Sequence, residues 1–169
     1  MQLEYKGKKP ILNNIALEAP GCSIIGDVTL EEDVSIWFGA VVRGDVEAVR
    51  IGRRSNIQDN ATVHVNHDTP ALIGEDVTVG HNAVIHACTI GDRCLIGMGA
   101  IILDYAEIGE DSVVGAGALV TQGKRFPPRS LIIGSPAKAV RTITDEQCKQ
   151  LKESADTYVE LARETAETL

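Results

Sequence analysis

The chain has 169 residues, the size of one ordinary domain and long enough to bury a core. Hydrophobic residues make up 44% and charged residues 24%, which excludes a disordered chain, and a net charge of −8 argues against nucleic acid or an anionic membrane surface as partner. No apolar run approaches the roughly 18–20 residues of a membrane span, and aromatics are only 4%, so large rings do not fill the core.

Met1 to Pro10 is polar and lacks the apolar stretch of a secretory leader. Beyond it, aliphatic residues recur every six positions. They run Ile24, Leu30, Ile36, Val42; then Ile51, Ile57, Val63; then Ile73, Val79, Ile85. A final unbroken series comprises Ile90, Ile96, Ile102, Ile108, Val114, Val120, Phe126 and Ile132. A small or β-branched residue stands four positions after most of them, as at Val34, Ala40, Ser55, Ala61, Val77, Ala83, Cys94 and Ala100. Six is neither the 3.6 period of a helix nor the alternation of a long strand. It fits short strands joined by tight turns, with one large and one small inward residue each, stacked as a β-solenoid of three units per coil. The predicted solenoid covers about residues 11–140. After Pro136, Thr144 and Gln147 form a capping-box pattern, and Cys148, Leu151, Ala155, Tyr158 and Ala162 follow at helical spacing. One amphipathic helix over 144–168, lying on a face of the solenoid, is expected, within a single domain spanning 1–169. Cys22, Cys88, Cys94 and Cys148 form no CxxC pair and read as free thiols of a reducing, cytoplasmic compartment.

The period breaks between Val42 and Ile51, between Val63 and Ile73, and between Ile85 and Ile90. Insertions at solenoid corners make loops, and loops on a rigid scaffold are where sites are built. The four histidines, His64, His67, His81 and His86, all lie here. With three units per coil, Val63 stands beneath Ile85, so His64 and His86 share a column about 4.8 Å apart along the stack. Val42 stands beneath Val63, which adds Arg43 to that column. Ile57 stands beneath Val79, which places Asp59 with His81 and Gln58 one coil below Gly80. A glycine there is expected to leave space above the Gln58 amide. Three imidazoles are the ligand set of a catalytic zinc site with an open position. His81 lies a turn away from the other two, so a neighbouring subunit is an alternative source of it. His67 has no stacking partner and reads as a surface histidine.

These residues resemble the γ-class carbonic anhydrases and their carbonic-anhydrase-like hexapeptide-repeat relatives. The likeness rests on Ser35-Ile36-Trp37-Phe38, on Val42-Arg43-Gly44-Asp45, on Asn56-Ile57-Gln58-Asp59-Asn60 running to His64, and on Val79-Gly80-His81 to His86. The closing Gly134-Ser135-Pro136-Ala137-Lys138 is typical of hexapeptide proteins in general. The resemblance implies an all-β, left-handed parallel β-helix with a C-terminal helix, assembled as a homotrimer with metal at each interface. Two histidines of each site would come from one chain and one from its neighbour. It makes His64, His81 and His86 the metal ligands, with Zn²⁺ the expected metal and Fe²⁺ or Co²⁺ also suited to imidazole. It implies reversible hydration of CO₂ to bicarbonate by a metal-bound hydroxide, with Arg43, Asp45, Gln58, Asp59 and the helix residue Tyr158 in the catalytic site. The family's archetype carries a longer acidic loop whose glutamates move protons; the stretch Val46 to Ile51 offers only Glu47. Two other functions fit the fold: a hexapeptide acyltransferase using one histidine as general base, and a metal-binding structural trimer without catalysis.

Overall fold

A computed structural model describes residues 1–169. The chain is a left-handed parallel β-helix of about seven coils closed by one C-terminal helix. Each coil has three short strands, and equivalent strands of successive coils pair in parallel to make three faces. The first face stacks Val41–Arg43, Thr62–His64, Val84–His86, Ile101–Ile102 and Leu119–Val120. The second stacks Val49–Ile51, Ala71–Ile73, Thr89–Ile90, Glu107–Ile108 and Arg125–Phe126. The third runs from Leu17–Glu18 through Asn56–Ile57, Thr78–Val79 and Leu95–Ile96 to Val113–Val114 and Ser130–Gly134. An antiparallel strand, Ala137–Thr142, ends that face.

The core is what the six-residue period requires. Ile24, Ile36, Ile57, Ile85, Ile96 and Ile102 are completely buried, as are the small residues Ala40, Ala61, Ala83 and Ala100 that let the chain turn its corners. Where a corner position is polar, it is satisfied internally: Ser55 Oγ donates to Gly74 O at 2.8 Å and accepts from Val77 N at 2.9 Å. One corner is a column of left-handed residues, Gly39, Asn60, Asn82, Gly99 and Gly117, with φ between 57° and 69°. Asn and Gly tolerate that conformation best, which is why they occupy it. Cys22, Cys88 and Cys94 are buried free thiols, and burial pushes Cys88 and Cys94 up to about 12, so they are inert packing groups.

Three details differ from the sequence reading. Parallel pairing begins before residue 11: Gln2–Leu3 pairs with Ile24–Ile25, and Ile11–Leu12 pairs with Thr29–Leu30. A tight bridge between Tyr5 and Lys8 separates these two strands and hides the six-residue spacing. The helix spans Asp145–Thr168, and Val159 rather than Tyr158 completes the buried stripe with Leu151, Ala155 and Ala162; Tyr158 is half-buried at its edge. No helix is long and apolar enough to cross a membrane.

A second left-handed corner alternates charge up the stack: Asp33, Arg54, Asp76, Arg93, Asp111, Arg129. Arg54 pairs with Asp76 at 2.8 Å and Arg93 with Asp111 at 2.7 Å. The helix is tied to this ladder at three heights, through Asp145 to Arg129, Asp156 to Arg54 and Arg163 to Asp33. Its start is fixed by the capping box, in which Gln147 N donates to Thr144 Oγ1 at 3.2 Å and Thr144 N donates to Gln147 Oε1 at 3.1 Å. Thr144→Ala is therefore expected to lower stability by about 1 kcal/mol, read as a shift in the urea midpoint at unchanged slope.

Candidate metal centre

His64 and His86 are direct neighbours in the first-face ladder, with Arg43 one coil below. They point outward there because the residues before them, Val63 and Ile85, are the inward aliphatics of their units. His64 Nδ1 lies 3.2 Å from His86 Nε2, so one nitrogen of each ring is turned to the other. The remaining nitrogens face carboxylates. His64 Nε2 is 2.9 Å from Asp45 Oδ1, while His86 Nδ1 contacts Asp104 Oδ1. Asp45 is also paired through Oδ2 with the Arg43 guanidinium. Burial raises the pKa of Asp45, but hydrogen bonding from His64 and the charge of Arg43 outweigh it and hold the carboxyl below its ordinary value. Asp104 behaves alike: burial is outweighed by hydrogen bonds from His86 and from Asn66.

The donor set suits a divalent transition metal. Two imidazole nitrogens on one tetrahedral zinc sit about 3.3 Å apart, close to the spacing found here, and carboxylates behind ligating rings are the usual support for such a site.

His81 stands elsewhere. It lies on the corner after Thr78–Val79, beside Asp59, with Nδ1 at 2.7 Å from Asp59 Oδ2. That pairing ties one ring nitrogen and leaves Nε2 as the other. A single chain brings together no three His, Cys, Asp or Glu side chains in a metal-holding group. The predicted residues thus fall into two sets: Arg43, Asp45, His64 and His86 on one face, and Gln58, Asp59, His81 and Tyr158 around the next corner.

In the second set, Gln58 is buried and its Nε2 donates to Asn56 Oδ1 at 3.0 Å, while Asn56 Nδ2 donates to Thr78 Oγ1 at 3.1 Å. This short polar chain holds the amide at the edge of a cavity of about 420 Å³, which Gly80, Met98 and Tyr158 also line. Gly80 does not provide the space above Gln58. A Cβ there would meet Ile96 O and Met98 N, both at 2.9 Å, so the glycine is required by the close approach of the next coil. Tyr158 packs edge-on against Trp37, with ring centroids 5.7 Å apart. Burial, and then the charge of Asp59, push its phenol above the ordinary value and keep it a hydrogen-bond donor. Glu47 lines a separate polar cavity of about 280 Å³ together with Asp45 and His67.

Sequence reasoning missed Asp104 and Asn66. Counting one coil further would have found the first, because Ile102 stacks on Ile85 and Asp104 follows it by two positions.

A family model described as bacterial transferase hexapeptide (six repeats) matches residues 70–104 and 87–122. Over 150 residues the chain is 50% identical to a protein named probable carbonic anhydrase from Methanocaldococcus jannaschii, covering 89% of this chain and 94% of that one. It is 43% identical over 162 residues to gamma carbonic anhydrase 2, mitochondrial, of Arabidopsis thaliana, covering 92% of this chain; the chain spans 58% of that longer relative. The solved structure of an assumed acetyltransferase from Bacillus cereus superposes with a TM-score of 0.97 at 44% identity, covering 100% of this chain and 98% of the other.

Proposed function

The chain belongs to the γ-class carbonic anhydrase family of hexapeptide-repeat proteins, and from that premise we propose that it hydrates CO₂ reversibly at a metal centre shared between two copies of itself. The observation that carries the reading is the His64–His86 pair, two ring nitrogens 3.2 Å apart with a carboxylate behind each ring. His81 of a neighbouring copy is the third ligand in this account, and Asp59 orients it by holding Nδ1. A trimer of such copies closes the ring. The first face supports self-association: Val41, Thr62, Val84, Ile101 and Leu119 form an outward row beside the histidine column, and Ile101 is 37% exposed.

Zn²⁺ is the metal that three imidazoles and an open position suit, and when bound it supplies a Lewis acid that lets water ionise near neutral pH. The chain's own groups do the rest. Arg43 and Asp45 fix the His64 ring. Gln58, anchored through its Nε2 to Asn56, presents its amide oxygen and remaining N–H to orient the attacking water without competing for its proton. Tyr158 is a neutral donor at the rim of the same cavity. Asp45 faces Glu47 and His67 across the polar cavity, which gives a departing proton a carboxylate and an imidazole on the way to solvent.

The test is CO₂ hydration by zinc-loaded and chelator-stripped protein; activity confined to the loaded form supports the proposal, and none above background in strong buffer refutes it. Within that assay, Gln58→Ala is expected to lower kcat/KM by roughly ten- to a hundredfold, because a lost hydrogen bond of this kind is worth about 1–3 kcal/mol. Metal content, read by elemental analysis, should not change. An unchanged rate would remove Gln58 from the mechanism. The same elemental analysis separates this reading from a metal-free acyltransferase, and the rate separates it from a structural trimer.

A further inference from the structure

His86 is held by a carboxylate from the coil above, Asp104, whose Oδ1 contacts the ring at Nδ1. We propose that Asp104 is a positioning residue, which fixes the His86 ring as the Nδ1–H tautomer so that Nε2 alone is free to bind the metal; this rests on the metal-centre reading above.

Ile102 pairs with Ile85 in the coil below, and Tyr105 N donates to Ala87 O at 2.8 Å, which sets the turn holding Asp104 directly above His86. The carboxylate is then aimed from its other side. Asn66 Nδ2 donates to Asp104 Oδ2 at 2.7 Å, leaving Oδ1 against His86 Nδ1. Asn66 is itself fixed by the bridge it makes with Thr69, and Tyr105 Oη donates to Asp68 Oδ1 at 2.8 Å. The inserted loop and the turn above it are therefore joined on both sides of Asp104.

An ionised carboxylate only accepts, so the nitrogen it holds must donate. A neutral imidazole with its proton on Nδ1 carries its lone pair on Nε2, the atom that faces His64. A carboxylate in this position orients a ligating ring and raises its basicity, and loss of such a partner typically costs ten- to a hundredfold in metal affinity. A surface ion pair that merely stiffens the loop would move neither the tautomer nor the affinity.

The decisive variant is Asp104→Asn, whose amide has the same size but can donate as well as accept. Ring ¹⁵N NMR of metal-free protein in mildly alkaline buffer is expected to show wild-type His86 protonated on Nδ1. In Asp104→Asn that preference should be lost. Zinc affinity, measured by competition with a chromophoric chelator, should fall roughly ten- to a hundredfold in the same variant. Asn66→Ala should shift both readouts in the same direction by less, and it tests the proposal independently if Asp104→Asn fails to fold. An unchanged His86 tautomer, or zinc affinity within about twofold of a wild type that binds zinc, overturns the proposal. A wild type that binds no zinc overturns the metal-centre reading instead, and the NMR measurement still decides whether Asp104 sets the ring.

Discussion

His64→Ala and His86→Ala are each expected to strip the metal from the protein, while His67→Ala leaves its metal content intact. Four-ligand zinc sites bind with about 10–16 kcal/mol, so one lost imidazole removes about 3 kcal/mol or more, at least a hundredfold in affinity. The contrast with His67 gives the prediction its force. All three histidines lie within the same short stretch of chain, but only His64 and His86 are register partners with nitrogens turned to each other. His67 stands in the loop between Asn66 and Thr69, where it lines the polar cavity beside Glu47 instead. Elemental analysis of the three purified variants, each checked by its unfolding transition, reads the outcome. Equal loss across all three would mean that the column arrangement has nothing to do with metal.

The period of six made most of this legible in the sequence. Because a coil is three units, stacking follows from counting, and His64 under His86, Arg43 under His64 and Asp59 beside His81 all stand where counting put them. What counting did not reveal has physical causes. The strand before residue 11, Gln2–Leu3, is set off from Ile11–Leu12 by the Tyr5–Lys8 bridge, which stretches the spacing beyond six and hides the repeat. The alternating ladder from Asp33 to Arg129 is spread over almost a hundred residues, and its charges become neighbours only once the coils are stacked. Gly80 showed that a missing side chain need not mean open space, since the backbone above occupies it. Tyr158 and Val159 differ by one helical position, and the crossing of the helix over the third face, which no local pattern encodes, decides which of them is buried.

His81→Ala is the second large effect. It should remove metal as completely as His64→Ala, although His81 sits on another corner and is paired only with Asp59 within its own chain. The expectation follows from a site divided between copies: each interface then lacks its third imidazole even though the His64–His86 pair is untouched. Asp59→Asn, which leaves the ring in place but alters its partner, should weaken binding by a smaller factor, roughly ten- to a hundredfold. Metal retained at wild-type levels by His81→Ala would restrict the centre to the pair and its carboxylates.

The central claim, that one centre is completed by two copies, is tested most directly by mixing subunits. His81→Ala and His86→Ala chains carrying different affinity tags are co-expressed, and oligomers holding both are isolated and assayed for zinc. If His81 crosses to a neighbour, each mixed trimer has one interface where an intact His81 meets an intact His64–His86 pair, so it should bind about one zinc while either variant alone binds almost none. If every centre is built within one chain, no chain in the mixture has all three histidines, and the mixed oligomers should be as empty as the pure variants. Zinc recovered in the mixture is the result the account predicts; its absence from well-formed mixed trimers would contradict it.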